Sequence, residues 1–258
     1  MKVSAIVLDL DGTLLDSNKH ISERNMNAID KMLHQNVRII FATARPPRAV
    51  KSLLPENLLL AGSFVYYNGA QVSCRLSGLD THEAVEAALS AEVIDFLLNM
   101  NPDIELGVEV RDEWFSLNEI DYTVRMNVKG NPIVKSVETL KTYDASKILV
   151  TGLHHHEQLK ERFASRLHIL LTDHGELVQI SSLKASKERA VSELCQALRI
   201  SLDEVIVFGD DYNDLGLFKI CGWSVAMGNA IDELKWLASE VTDSNDEDGV
   251  AKVLERYR

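Results

Sequence analysis

The chain has 258 residues but only three cysteines, Cys74, Cys195 and Cys221, widely spaced and with no CxxC pair. An odd, scattered set of this kind argues against a disulfide framework or a cysteine-based zinc site and fits reduced intracellular thiols. No apolar run approaches the ~20 residues of a membrane-spanning helix. No segment gathers lysine and arginine, and the formal net charge is −12, so a positive surface for nucleic-acid phosphates is not expected. No internal repeat or low-complexity stretch occurs. Met1-Lys2-Val3-Ser4 runs directly into the first apolar segment and leaves no room for a signal peptide, so a soluble, cytoplasmic protein is expected. With 46% hydrophobic and 26% charged residues, the composition is that of a globular protein long enough for one large domain or two modest ones.

What the chain does have is Asp9-Leu10-Asp11-Gly12-Thr13, directly after Ala5-Ile6-Val7-Leu8. The apolar run is short and rich in β-branched residues, so it reads as a buried strand. A plain turn accounts for Asp11-Gly12. It does not account for two carboxylates where a buried strand ends, a costly placement unless a metal or a reaction uses them. Chemistry in open α/β sheets gathers at the carboxyl ends of strands. A dinucleotide-binding dehydrogenase is disfavoured, because no GxGxxG follows this strand.

The flanking regions alternate strand and helix. Ser22 is placed to cap a helix carrying Met26, Ile29 and Leu33 on one face. Residues 37–42 form a second apolar strand ending at Thr43-Ala44-Arg45, and Pro46-Pro47 open a short helix through Leu54. Phe64-Val65-Tyr66-Tyr67 reads as a third strand, broken by Asn68-Gly69. From about Thr81 the pattern changes. Ser90 is expected to cap a helix with Val93, Phe96 and Leu97, and residues 104–110, 114–117, 124–128 and 148–150 read as strands. A helix near 157–166 and a hairpin of 167–171 with 177–180 across Asp173-His174-Gly175 follow. Clustered strands with few helices suggest an inserted α+β module. Alternation then resumes with a helix Lys187–Leu198, a strand at 205–208 entering Gly209-Asp210-Asp211, and a helix from Asn213. The strand Ser224-Val225-Ala226 and helices from Ile231 and Gly249 complete the chain. This alternation predicts a parallel sheet.

In a parallel sheet, Asp9 and Asp11, Thr43, and Asp210 with Asn213 and Asp214 share one edge. Carboxylates from separate strands there suit one hard cation with retained waters, as Mg²⁺ prefers. The pair Asp9/Asp11 suits phosphoryl transfer: one carboxylate attacks phosphorus, and the other protonates the leaving oxygen and then activates water. Lys187, the Thr43 hydroxyl and the N–H groups of the Asp11-Gly12-Thr13 turn supply positive partners and donors.

With these segments in place, the chain resembles a haloacid dehalogenase (HAD) superfamily phosphatase of the Cof-type subfamily. Asp9-Leu10-Asp11-Gly12-Thr13 is similar to the family's DxDGT, Thr43-Ala44-Arg45 to its threonine motif, Asn68-Gly69-Ala70 to its NGA turn and Ser186-Lys187 to its lysine motif. Gly209-Asp210-Asp211-Tyr212-Asn213-Asp214 resembles GDxxND, and segments 225–230 and 245–250 resemble the carboxy-terminal signatures. The resemblance implies an α/β fold: a Rossmann-like core with a parallel sheet over 1–80 and 184–258, carrying an inserted α+β cap over 81–183. It implies that Asp9 is the nucleophile and a Mg²⁺ ligand, and that Asp11 is the acid/base with its main-chain carbonyl on the metal. Thr43 and Lys187 hold the phosphate, Asp210 is the third metal ligand, and Asp214 supports the site. Gly12, Thr13, Ala44, Arg45, Asn68 and Asn213 are then expected to face the substrate. The implied reaction is Mg²⁺-dependent hydrolysis of a small phosphate monoester, a sugar phosphate or related metabolite, with the cap excluding water.

Two positions depart from the family pattern. Ala44 replaces a glycine and resists positive φ, and Glu188 follows Lys187 where glycine is usual. Lys184 is a nearby rival for the lysine role. Arg45 also reads as a surface salt bridge, and Asn68-Gly69 as a plain turn. His154-His155-His156 reads as a solvated loop or helix start, Trp114-Phe115 as cap core, and residues 243–248 as a solvated loop. A phosphomutase using the same aspartyl-phosphate is the nearest rival and requires a bisphosphate activator. Loss of one catalytic carboxylate would have favoured a non-catalytic phosphometabolite-binding protein, and all are present. An ion-pumping ATPase would need membrane spans.

Overall fold

β1 (Ala5–Leu8) is buried along its whole length, as expected of a strand covered on both faces of a parallel sheet. The chain continues through α1 (Glu23–His34), β2 (Arg38–Ala42), α2 (Pro47–Leu53), α3 (Glu56–Ala61), β3 (Ser63–Tyr66), β4 (Gln71–Cys74) and β5 (Leu79–His82). The computed structural model describes residues 2–119, 121–125, 130–153, 156–172 and 176–257. The chain divides into two units, Met1–Thr81 with Ser186–Arg258, and His82–Ala185.

The second unit holds α4 (Ala87–Met100), β6 (Glu105–Val110), β7 (Glu113–Ser116), α5 (Tyr122–Arg125), β8 (Ile133–Val134), α6 (Val137–Leu140), β9 (Lys147–Thr151), α7 (His156–Phe163), β10 (Leu167–Thr172) and β11 (Leu177–Ser182). The first unit then resumes with α8 (Lys187–Leu198), β12 (Val205–Gly209), α9 (Leu215–Ile220), β13 (Trp223–Ala226), α10 (Asp232–Leu237), β14 (Glu240–Val241) and α11 (Gly249–Leu254).

The first unit is an eight-stranded sheet in the order β14-β13-β12-β1-β2-β3-β4-β5. Pairing is parallel from β14 to β3. It is not parallel throughout, because the turn at Asn68-Gly69 sends β4 back antiparallel to β3. Leu8 lies level with Phe208 on one side and Phe41 on the other, so β1, β2 and β12 end together. From β1 the chain adds strands in one direction, and after the insertion it adds them in the other. This reversal opens the crevice where such folds bind ligands.

The second unit is a six-stranded sheet, β10-β11-β9-β6-β7-β8, largely antiparallel. Leu106, Val108, Phe115, Ile148, Val150, Val178 and Ile180 alternate along its strands. They form one core with Val93, Ile94 and Leu97 of α4 and Leu159 and Phe163 of α7. Period-2 strands thus bury one face against period-3.6 helices. The three cysteines are free. Among the described residues no helix is long and apolar enough to cross a membrane.

Several local expectations differ from the structure. Ser90 does not cap a helix: α4 starts three residues earlier, and buried Ser90 donates to Val85 O. The start of α4 is served instead by Asp144, whose carboxylate accepts from Ala87 N, a partner no local pattern reveals. The expected strand at 124–128 begins as α5, started by Asp121, whose Oδ1 accepts from Thr123 N; residues 126–129 lie outside the described residues. So do His154, His155 and the Asp173-His174-Gly175 turn, while His156 opens α7. Ser22 does cap α1, but the buried face is Asn25, Ala28, Ile29 and Met32. Asn25 is inside because its side chain accepts from Ala251 N of α11.

Candidate active site

Lys187 is the first residue of α8, after the N-cap Ser186 whose hydroxyl accepts from Arg189 N. Its side chain is fully buried and its Nζ donates to Asp9 Oδ1 at 2.6 Å and to Asp214 Oδ1 at 2.7 Å. Lys184, the rival, is exposed. Asp214 is also fully buried, and its second oxygen accepts from Asp210 N and Asp211 N at 3.1 and 3.4 Å. Both of its oxygens are therefore engaged, and it holds the lysine and the β12 loop. Glu188, beside Lys187, lies across Gly216 of α9, where a side chain on residue 216 would collide with it.

Ligand atoms of Asp9, Asp210 and Asp214 lie within 4.8 Å of one another. Three carboxylates then face one ammonium, an imbalance of two negative charges when all are ionised. Asp9 is pushed up to about 8 by burial; Lys187 pulls it down, while Asp214 and Asp210 push it further up. Asp210 is pushed up to about 6, again by burial first; the Thr13 hydroxyl, donating to Asp210 Oδ1 at 2.8 Å, opposes this, and Asp214 and Asp211 add to it. For Lys187, burial works against the charge, but Asp214 and Asp9 outweigh it and raise its proton affinity.

The donor set suits a hard dication, which would offset the excess charge. Asn213 supports this fit. Its Oδ1 is buried with no hydrogen-bond partner among the described residues, on the turn between Asp210 and Asp214.

Asp11 is differently placed. Its carboxylate is turned to Arg45, whose Nε and second terminal nitrogen donate at 2.5 and 2.6 Å, and to Lys19 Nζ at 2.8 Å. Burial opposes ionisation, but Arg45 and then Lys19 win, and its pKa lies below the usual value. Held like this, Asp11 is ionised. That suits it to take a proton; giving one up requires the ion pair to open.

The loop after Asp9 is gripped from two sides. Gly12 has φ +78°, and a Cβ there would lie 2.2 Å from Asp210 Oδ2, so glycine is needed twice over. On the other side, Asn229 donates to Gly12 O at 2.8 Å and accepts from Asn245 N at 3.1 Å, while Asn245 donates to Leu15 O at 2.9 Å.

Thr43 is buried, and its hydroxyl accepts from Arg45 N at 3.1 Å. Ala44 is absent from the positive-φ positions, so the backbone here does not need a glycine. Tyr67, Asn68 and Gly69 all have positive φ, at 52°, 54° and 103°. For a bulky residue such as Tyr67 this costs roughly 1–2 kcal/mol. Bonds to neighbouring loops hold the turn: Tyr67 N donates to Arg45 O and Asn68 N to Thr43 O. A Cβ on Gly69 would lie 2.2 Å from Ser186 O, so the turn also abuts the start of α8. Asn68 Oδ1 accepts from Asn213 Nδ2 at 3.0 Å.

Direct contacts thus join Lys187 to Asp9 and to Asp214, Thr13 to Asp210, Asp11 to Arg45, and Asn68 to Asn213. Lys19, Asn229 and Asn245 escaped the sequence reading as site residues. Asn229 and Asn245 lie in segments whose family likeness was evident, but Lys19 lies in no motif.

A sequence profile of the haloacid dehalogenase-like hydrolases matches residues 6–254. The chain is 26% identical to the 5-amino-6-(5-phospho-D-ribitylamino)uracil phosphatase YitU of Bacillus subtilis, over 98% of this chain and 96% of that protein. It is 28% identical to the phosphatase YwpJ of the same organism, over 96% and 98%. The fold is similar to the crystal structure of TM0651 from Thermotoga maritima, with a TM-score of 0.90 and 26% identity over 99% of this chain and 98% of that one. A haloacid dehalogenase-like hydrolase from Bacteroides thetaiotaomicron matches with a TM-score of 0.84 and 28% identity over 100% of both chains. The profile spans almost the whole sequence, the strand-end carboxylates included, and on that ground the chain belongs to the haloacid dehalogenase-like hydrolase family.

Proposed function

We propose that the protein is a Mg²⁺-dependent phosphatase that hydrolyses small phosphate monoesters of sugar or polyol type through an aspartyl-phosphate on Asp9. The observation that carries this reading is Asp9 itself: buried at the end of β1, with Oδ1 held by Lys187 at 2.6 Å within a cluster of three carboxylates. With Oδ1 engaged, Oδ2 is the oxygen that attacks phosphorus. The ester P–O bond breaks and Asp11 gives its proton to the leaving oxygen. Asp11 then takes a proton from water, which attacks the phosphorus of the aspartyl-phosphate, releases inorganic phosphate and restores the Asp9 carboxylate. Arg45 and Lys19 leave Asp11 for the anionic substrate, which returns the proton affinity that Asp11 needs for the first step.

The side chains of Asp9 and Asp210 and the main-chain carbonyl of Asp11 would hold Mg²⁺. When bound, the ion neutralises charge that otherwise keeps an anionic nucleophile and an anionic ester apart. Lys187 keeps Asp9 oriented and Asp214 keeps Lys187 in place. The unit His82–Ala185 serves as the cap that selects the leaving group. YitU, named for a substrate phosphorylated on a ribityl chain, supports a polyol or sugar ester.

The test is phosphate release from a panel of phosphorylated sugars, polyols, nucleotides and cofactors, with Mg²⁺ and with chelator. Release that requires Mg²⁺ and is fastest with sugar or polyol esters is expected. Isomerisation that depends on a bisphosphate, without net phosphate release, would replace this reading with the mutase.

Cation binding should depend on pH in a defined way. Asp210 and Asp9 lose their protons near 6 and 8. Binding between these values displaces about one proton, so the apparent Mg²⁺ affinity rises about tenfold per pH unit across that window and levels off above it. Calorimetric titration in buffers of different ionisation enthalpy reads the released proton directly. An affinity that stays flat across the window would remove Asp9 from the ligand set.

A further inference from the structure

Asn68 occupies a backbone position, φ +54°, that asparagine, aspartate and glycine tolerate and most other residues do not. The turn alone would therefore accept any of the three. The side chain, however, reaches across the sheet edge to the loop after β12, where its Oδ1 accepts from Asn213 Nδ2 at 3.0 Å. That bond decides which way the Asn213 amide faces. With Nδ2 directed at Asn68, Asn213 Oδ1 points the other way. It is buried there with no hydrogen-bond partner among the described residues. A buried carbonyl oxygen left without a donor is unfavourable for folding alone, and such orphans concentrate where a bound group completes them. Asn213 lies between Asp210 and Asp214, both members of the acidic cluster.

We propose that Asn68 is a positioning residue: by holding the Asn213 amide through Nδ2, it presents Asn213 Oδ1 as a ready acceptor for an O–H group in the reacting complex. The inference rests on the reading of Asp9 as nucleophile. It assigns Asn68 a task different from the substrate contact expected from sequence. The site then needs the acceptor on residue 68 and has no need of its NH₂ group. The turn that carries Asn68 also abuts Ser186 through Gly69 and takes hydrogen bonds to Thr43 and Arg45. The same three residues thus set the spacing of the threonine loop, the lysine helix and the Asn213 amide.

Two substitutions separate the possibilities because both suit the positive φ. Asn68→Gly keeps the turn and removes the acceptor; Asn68→Asp keeps the turn and the acceptor and removes the donor. We expect Asn68→Gly to lower kcat about tenfold with KM within about twofold of the parent, and Asn68→Asp to recover about fivefold of that loss. In a double-mutant cycle, Asn213→Ala should reproduce the loss, and adding Asn68→Gly to it should cost less than about twofold more. An unchanged kcat in Asn68→Gly would reduce the residue to a turn former. Impairment of Asn68→Asp equal to that of Asn68→Gly, with KM raised, would show that Asn68 touches substrate through its NH₂ and would overturn the proposal. Fully additive losses in the cycle would overturn it as well. Asp9→Asn, assayed alongside, reports on the underlying reading: activity surviving there defeats the nucleophile assignment, whereas its loss with normal Asn68 variants defeats only the positioning role.

Discussion

Asp9→Asn is expected to lower kcat by at least ~10⁴-fold, the scale of removing a covalent nucleophile. The substitution keeps the size of the side chain and leaves Lys187 its bond to Asp214 at 2.7 Å, so the loss is chemical rather than structural. If the proposed aspartyl-phosphate forms, rapid acid quench of the parent enzyme should trap a phosphoenzyme that hydroxylamine cleaves, as expected of an acyl phosphate, and the variant should yield none. Stability moves in the opposite direction. In the folded protein Asp9 holds its proton up to about 8, against 3.8 for an ordinary aspartate. Folded chains therefore bind more protons than unfolded ones between these values, and metal-free stability falls as pH rises through that window. Asparagine mimics the protonated carboxyl. The variant should match the parent near the acid end and exceed it above about pH 8 in chelator. Phosphate release retained within tenfold of the parent would show that another group attacks phosphorus.

Lys187→Met is expected to have the largest effect on folding. Methionine fills much of the volume of lysine but leaves Asp9 and Asp214, both buried, without their shared cation. Removing one partner of a buried ion pair costs roughly 3–5 kcal/mol, because the charge left behind is uncompensated. The cost is pH-dependent here. Below about 6 both Asp9 and Asp210 carry protons, and less charge is orphaned; the parent ionises Asp9 above about 8, whereas without Lys187, which lowers that value, Asp9 holds its proton to higher pH. Urea unfolding without metal should therefore show a smaller difference from the parent near pH ~5.5 and a larger one near pH ~9.5, once the parent has ionised Asp9. Millimolar Mg²⁺ should return part of the stability at the higher pH. The parent's own lysine contribution, from a group whose proton affinity is raised, persists below its unfolded pKa of 10.5 and is lost only as pH climbs through the folded value. The variant's kcat should drop by at least ~10²-fold, since a fixed positive partner is lost. Equal destabilisation at both pH values would mean that packing, not charge, explains the residue.

Both expectations depend on residues that could be picked out in the sequence. Asp9, Asp11 and Asp210 stand directly behind short apolar runs, and such runs make buried parallel strands because every residue in them is apolar on both faces. Once the strands are parallel, their carboxyl ends share an edge, so residues separated by nearly the whole chain must converge. Lys187 was legible for a local reason: Ser186 caps the helix, which fixes where the first turn starts and places the lysine at its mouth. The insertion was visible as a change of period, from alternating strand and helix to clustered strands.

What the linear pattern did not contain is how side chains without periodic signals find their partners. Ser90 looks like a cap, but Asp144, 57 positions away from Ala87, serves the start of α4. The face of α1 is rotated toward Asn25 because α11 offers a backbone N–H there. The grip of Lys19 and Arg45 on Asp11 depends on two loops meeting, as do the bonds from Asn229 to Gly12 O and from Asn213 to Asn68. Hydrophobic period and local capping act over a few residues, and so the linear order was enough to say which strands end in carboxylates and which helix starts with the lysine. Which oxygen of Asp9 is held, the pairing of Asp11 with cations and the buried acceptor on Asn213 emerged from the fold instead, because hydrogen bonds and desolvation depend on groups brought together across long stretches of chain.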